Sequence, residues 1–297
     1  MAEWKDKFLE RYSELTDIEK FKEVSLKPMR KSIRTNTIKT TIEVIKERFG
    51  DSLEQVPWCK EGFFIKKKGV GNTLEHYLGY IYLQGAASMI PPVVLQPKEG
   101  DMVLDMCASP GSKTSQMAAM MNNKGMIVAN DSILQRLKPL TMNLQRCGVI
   151  NTVITKMEGR RFKTNFDKIL VDAPCSGMGT IRKSYKTIKM WNPNTIKRMA
   201  GVQKQLIKTG FDNLNEGGTM VYSTCTLEPH ENESVVNFLL ENYDNAKIEK
   251  INIEMKRGKS VDEFEGECYD SDVKKCLRIW PQDNDTEGFF VARIKKV

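Results

Sequence analysis

Five short apolar segments, each closed by a polar or turn-forming residue, punctuate the chain beyond Pro92: MVLDM (102–106), MIVAN (126–130), TVITK (152–156), KILVD (168–172) and TMVYS (219–223). Near-continuous apolar runs of this length suit strands covered on both faces, and helix-length stretches lie between them. That alternation predicts an α/β fold with a mostly parallel, doubly wound sheet. The tail adds KIEKINIEM, CLRIWP and FFVARIKK, the last two expected to pair as a closing hairpin, with the polar, acidic stretch Ser260 to Asp272 read as flexible.

Ahead of this region the pattern changes. Trp4 to Lys20 reads as one amphipathic helix with Phe8, Leu9, Tyr12 and Leu15 on a single face. SIRTNTI, a helical TIEVIKERFG ending at Gly50, and GFFIKKKG closed by Gly69 then predict a small α/β module. A connecting helix covers Gln84 to Met89, and Pro91 and Pro92 break it. The division expected is a module over 1–90 and a larger domain over 91–297. Lys27, Arg30, Lys31, Arg34 and Lys66 to Lys68 give the module a basic face.

The longest apolar runs, Ile90 to Leu95 and Met102 to Met106, fall well short of the ~20 residues of a membrane helix. The opening MAEWKDKFLERY mixes acids and bases, unlike a secretory signal, so a cytoplasmic location is expected. Seven cysteines without a CxxC pair predict free thiols and no metal site. His76 and His230, the only histidines, stand in no catalytic setting and read as structural. Lys and Arg outnumber Asp and Glu by 46 to 38, a net charge of +8 that suits a polyanionic partner.

In doubly wound sheets ligands bind beyond the carboxyl ends of the strands, so the residues just after each strand matter most. After the first comes DMCASPGSKT, where Pro110 and Gly111 make a tight turn and a helix opening near Ser112 offers free amides. Asp131 follows the second strand, 26 residues past Asp105, where an acid grips ribose hydroxyls; Glu158 follows the third, facing an adenine edge. Neither GxGxxG nor GxxxxGK[ST] occurs. An adenosine ligand without a diphosphate, such as S-adenosylmethionine, fits this loop. The competing reading is that Asp105 and Asp131 only cap helices.

The fourth strand runs into DAPCSGMGT and the fifth into YSTCT, so Cys175 and Cys225 emerge at one sheet edge beside Asp172 and Lys113. Carbon 5 of cytosine is a poor nucleophile until a thiolate adds at carbon 6 and makes an enamine that attacks a methyl sulfonium. Cysteine suits that task, helped by nearby positive charge such as Lys113, while Asp172 stabilises the charge developing on the base. A second cysteine has work in expelling the first. The chemistry alone leaves open which is which.

These segments resemble the Sun (Fmu-like) family of RNA cytosine carbon-5 methyltransferases, through LDMCASPGSKT, VAND, FDKILVDAPCSGMGT and GGTMVYSTCTLEPHENE, with YLQGAASMIPP upstream and DTEGFFVARI at the end. The resemblance runs from about Ser32 to the terminus. It implies a class I methyltransferase domain with a Rossmann-like seven-stranded sheet, preceded by an RNA-binding module. It implies Cys225 as nucleophile and Cys175 as the residue that helps resolve the adduct. It places Cys107, Ala108, Ser109, Pro110, Gly111, Ser112, Lys113, Asp131, Arg136, Glu158 and Asp172 around the cofactor and base, although the family usually has aspartate where Glu158 stands. Pro174-Cys175 also matches the Pro-Cys nucleophile of DNA cytosine methyltransferases, which leaves Cys225 unexplained.

From Thr180 to Lys208 there are eight basic residues and no acids: Arg182, Lys183, Lys186, Lys189, Lys197, Arg198, Lys204 and Lys208. The first six are candidate RNA contacts. Tyr185 and Trp191 interrupt the run, as base-stacking groups or as core anchors. No further RNA-binding domain is expected after the closing hairpin. The resulting expectation is a monomeric enzyme acting on structured RNA, tRNA first and rRNA second, with a non-catalytic RNA-binding protein as the reading from another class.

Overall fold

The computed structural model describes residues 4–297. The amino terminus forms two helices, α1 (Asp6–Ser13) and α2 (Ile18–Ser25), where the sequence predicts one. Asp17 causes the break: its carboxylate accepts the Lys20 amide and caps a new helix. Both helices turn their aromatics toward the larger domain, where Phe8, Tyr12 and Phe21 pack with Trp191 and Trp280 at zero to a few per cent exposure. Burying each such ring contributes roughly 2–3 kcal/mol.

The small module follows: β1 (Ser32–Thr35), α3 (Ile42–Phe49), β2 (Leu53–Gln55), β3 (Gly62–Ile65), α4 (Leu74–Tyr77) and β4 (Ile81–Leu83). Its antiparallel sheet has the order β2-β3-β1-β4 over a core of Ile33, Ile45, Phe63 and Ile81. Thr41 caps α3 and Gly50 ends it with φ +50°. The module's basic face is smaller than predicted. Arg34 is 1% exposed and donates to Gln84 Oε1 and Ser115 Oγ, both at 2.9 Å, as a strut to the next domain. Arg30 stacks on Phe64 at 3.6 Å and pairs with Glu54 and Asp285.

Pro91 and Pro92 open a helix rather than break one: α5 (Ile90–Leu95) begins on them, because the first turn needs no amide donors. Alternating elements then follow: β5 (Met102–Asp105), α6 (Ser112–Met120), β6 (Met126–Asn130), α7 (Leu134–Cys147), β7 (Thr152–Thr155), β8 (Phe166–Asp172), α8 (Lys186–Met190), α9 (Pro193–Asp212), β9 (Leu214–Thr224) and α10 (Glu233–Asn242). The chain ends in β10 (Ala246–Glu249), a hairpin of β11 (Glu263–Phe264) and β12 (Glu267–Cys268), then β13 (Leu277–Ile279), α11 (Pro281–Asn284) and β14 (Phe289–Lys296).

The main sheet has the order β10-β14-β9-β8-β5-β6-β7, parallel from β9 to β7. As expected, β13 pairs with β14, which runs antiparallel to β9. The acidic stretch is structured: Glu265 and Gly266 both adopt positive φ, the geometry of a tight hairpin turn, and Phe264 is buried. The strand order reverses between β5 and β8, so the switch point lies where their carboxyl ends meet.

Candidate active site

The loop after β5 is fixed from several sides. Ala108 N donates to Asn130 O, Ser109 Oγ to Arg136 O and Asn143 Nδ2 to Pro110 O, at 2.7–2.9 Å. Gly111 caps α6 at φ +99°, a conformation that disfavours a side chain, and an added Cβ would press on Leu140 at 3.0 Å. Asp105 caps nothing: it is buried, accepts Thr114 Oγ1 at 2.7 Å, and burial pushes its carboxyl up to about 7. Asp131 does accept a local amide, from Ile133 at 3.0 Å, but its Oδ2 is buried without a hydrogen bond and has only Arg136 Nε at 3.4 Å.

Strands β8 and β9 are parallel neighbours with Asp172 opposite Ser223, so their following turns meet. Asp172 Oδ1 accepts Ser223 Oγ and its Oδ2 accepts Lys113 Nζ, both at 2.7 Å. Burial opposes the Lys113 charge, but Asp172 outweighs it and the pKa is raised. Beyond them the sulfurs of Cys175 and Cys225 lie 3.3 Å apart. The Cys175 hydrogen bond holds the Cys225 thiol below its ordinary value against burial, with Lys113 and Lys183 adding attraction. The same bond and burial, with Glu231, push Cys175 well above it. Of the two sulfurs Cys225 is thus the more readily ionised and Cys175 the one that more readily keeps its proton.

The two turns are stitched together. Ser176 Oγ lies 2.8 Å from Thr226 Oγ1, and Gly179 N donates to Cys225 O at 2.9 Å. Gly179 also abuts Gly288, so close that a Cβ would sit 2.0 Å from Gly288 O.

A cavity of about 640 Å³ opens at this switch point, and Cys107, Ser109, Asp131, Arg136, Glu158, Asp172, Cys175 and Cys225 all line it. Ala108, Pro110, Gly111, Ser112 and Lys113 are not on its wall; they shape the loop and hold Asp172. Glu158 is half exposed and paired with Arg160 at 2.8 Å. Sequence reading missed Ile133 and Arg160 on the wall. Ile133 is 47% exposed, and an apolar residue two positions after the strand-end acid was the available signal.

The basic run divides. Arg182 is not a surface contact: its side chain is 2% exposed, donates to Lys27, Pro28 and Thr286 carbonyls, and pairs with Asp285 at 2.7 Å. Lys183 pairs with Glu287 at 3.1 Å yet stays 46% exposed, while Lys186, Lys189, Lys197 and Arg198 are exposed. Trp191 is a core anchor, 4% exposed, donating to Glu228 Oε1 at 2.9 Å; Tyr12 and Arg11 donate to the same carboxylate. Tyr185 is exposed but tied to Leu26 O. His230 joins Arg11 at 3.1 Å and stacks edge-on against Phe264, a structural role. Among the described residues no helix is long and apolar enough to cross a membrane, and no His, Cys, Asp or Glu side chains cluster as a metal site.

Residues 92–295 match the family described as 16S rRNA methyltransferase RsmB/F, and residues 5–86 match the N-terminal domain of 16S rRNA methyltransferase RsmF. The chain is 47% identical over 300 residues to the tRNA (cytosine(49)-C(5))-methyltransferase of Pyrococcus abyssi, covering 98% of this chain and 96% of that protein. It is 44% identical to the ribosomal RNA small subunit methyltransferase F of Shewanella amazonensis, over 91% of this chain but only 58% of that longer protein. The crystal structure of a methyltransferase homolog protein from Pyrococcus horikoshii superposes with a TM-score of 0.89 at 35% identity, covering 100% of this chain and 96% of that one. The chain belongs to the RsmB/F methyltransferase family.

Proposed function

We propose that this protein is an S-adenosylmethionine-dependent RNA (cytosine-5)-methyltransferase acting on tRNA. The observation that carries the reading is the pair of sulfurs, Cys225 and Cys175, 3.3 Å apart on the wall of a cavity shared with Asp172. Asp131 supports the cofactor assignment, because its buried Oδ2, which accepts no hydrogen bond, suits a ribose hydroxyl and exposed Ile133 offers an apolar surface to adenine. When bound, S-adenosylmethionine supplies an electrophilic methyl group.

In this reading Cys225 adds to carbon 6 of a flipped-out cytosine, and Asp172, held by Lys113 and Ser223, accepts a hydrogen bond from the base's amino group. Once carbon 5 carries the methyl group, a solvent base takes its proton, the C5–H electron pair restores the 5,6 double bond, and the carbon–sulfur pair returns to Cys225. The Cys175 thiol hydrogen-bonds the departing Cys225 sulfur. The exposed Lys186, Lys189, Lys197 and Arg198 grip phosphates, and the Lys183 charge reaches the Cys225 sulfur. The enzyme acts as a cytoplasmic monomer, with residues 1–90 serving as the RNA-binding module and 91–297 as the methyltransferase domain.

The tRNA assignment is favoured by the Pyrococcus abyssi relative, which this chain matches almost end to end. The rRNA reading is supported by the Shewanella relative, of which it spans 58%. Incubation with methyl-labelled S-adenosylmethionine and separate tRNA and rRNA pools, followed by nucleoside analysis, decides between them. Label in 5-methylcytosine from tRNA supports the proposal; label from rRNA alone moves the substrate. Label in neither leaves a non-catalytic RNA-binding protein.

A further inference from the structure

Two fully buried polar side chains stand behind Cys175, and neither lines the cavity. Gln203, on α9, donates its Nε2 to Pro174 O at 2.8 Å and to Glu231 Oε2 at 2.9 Å. Glu231, in the helical turn after β9, accepts the Ser176 amide at 2.9 Å through the same Oε2. The residues on either side of Cys175 are thus anchored, one through Gln203 and the other through Glu231. Tyr222 Oη in turn donates to Glu231 O at 2.6 Å, which fixes the turn to β9. Among the described residues Glu231 Oε1 accepts no hydrogen bond and no cation forms an ion pair with this acid, so its charge is screened little in a low-dielectric site.

We propose that Glu231 is a positioning residue: with Gln203 it locks the Cys175 turn from behind, and its charge assigns the shared proton of the sulfur pair to Cys175. The proposal rests on the two-cysteine reading given above.

The charges around the pair are arranged for this. Lys113 from α6 and Lys183 from the segment before α8 favour a thiolate on Cys225, which Asp172 from β8 moderates. Glu231 disfavours one on Cys175. The neighbouring Tyr222 is itself held protonated by burial, and Glu228 adds further negative charge beside Glu231. Burial raises the Glu231 carboxyl, while the Ser176 and Gln203 hydrogen bonds oppose the rise. A thiol hydrogen-bonded to a thiolate is a near-symmetric pair, so one fixed charge on one side is enough to decide which sulfur holds the proton.

The test reads the sulfurs without RNA or cofactor, so it stands apart from whether methyl transfer occurs. Each variant is treated briefly with iodoacetamide at pH 8, and modification of Cys175 and Cys225 is counted separately by peptide mass spectrometry. The wild type is expected to react mainly at Cys225. In Glu231→Gln the Cys175:Cys225 ratio is expected to rise about tenfold, the effect of one pK unit. Gln203→Leu loses both anchoring hydrogen bonds but keeps the carboxyl group itself, so its ratio is expected to move much less than in Glu231→Gln. Gln203→Lys, which sets a cation against Glu231, is expected to move the ratio as Glu231→Gln does and serves if that variant does not fold by circular dichroism. An unchanged ratio in a folded Glu231→Gln or Gln203→Lys overturns the proposal. An equal rise in Gln203→Leu overturns the electrostatic role, leaving only packing.

Discussion

The sulfurs of Cys175 and Cys225 lie 3.3 Å apart although 50 residues separate them, because β8 and β9 are parallel neighbours whose carboxyl ends are in register. The Lys113–Asp172 pair sits just beneath, where β8 ends. The sheet thus brings two thiols and an acid to one cavity wall, with the Lys113 cation held behind the acid.

Lys113 favours the Cys225 thiolate, so Lys113→Met is expected to move the Cys225 alkylation profile to higher pH. The sign follows directly: without the cation the thiolate is less stable, its pKa rises, and the reactive fraction at neutral pH falls. The change also strands a partly buried Asp172, with an expected stability loss of roughly 3 kcal/mol. Alkylation rates against pH and urea melts check both; an unmoved profile removes Lys113 from the account.

Asp131, on the cavity wall, has one carboxylate oxygen that accepts no hydrogen bond. Asp131→Asn is expected to weaken S-adenosylmethionine binding about 10- to 100-fold by calorimetry, the worth of a charged hydrogen bond. The melting temperature should change little. Unaltered affinity would move the cofactor elsewhere in the cavity.

Gly179 has no room for a methyl group, with Gly288 O at 2.0 Å and Cys225 O at 2.8 Å from an ideal Cβ. Gly179→Ala must push the Cys225 turn away, so it is expected to lower stability by roughly 3 kcal/mol and slow methyl transfer together. Thermal melts and a methylation assay on the same preparation test this, and an unperturbed variant would mean the turns are looser than described.

Much of this site was readable because strands buried on both faces leave unbroken apolar runs, and the chemistry follows directly after them. Asp131, Asp172, Cys175 and Cys225 could be located by that rule alone. Arg182 could not be, since a run of basic residues says nothing of which one turns inward to cap the Lys27, Pro28 and Thr286 carbonyls. Gln203 and Glu231 were invisible for a different reason: they act through the backbone of a turn whose residues are distant in sequence. The split between α1 and α2 was legible in principle, from Asp17 as a cap.

The division of the basic run has a measurable consequence. Arg182→Ala is expected to destabilise the fold by roughly 3 kcal/mol, because it leaves three carbonyls without their donor and takes from Asp285 one of its two arginine partners. The double substitution Lys186→Ala with Lys189→Ala is expected to leave melting unchanged, weaken RNA binding, and reduce the slope of log K against log salt by about 1.4. Filter binding across salt concentrations distinguishes the two. Equal behaviour of both variants would mean that these exposed lysines do not meet phosphate.

The covalent role of Cys225 is tested most directly by incubating Cys175→Ala and Cys225→Ala separately with S-adenosylmethionine and tRNA, then looking for protein–RNA adducts that survive denaturation. The account expects adducts from Cys175→Ala, which forms the bond but releases it slowly, and none from Cys225→Ala. Adducts from Cys225→Ala alone would contradict it and make Cys175 the nucleophile.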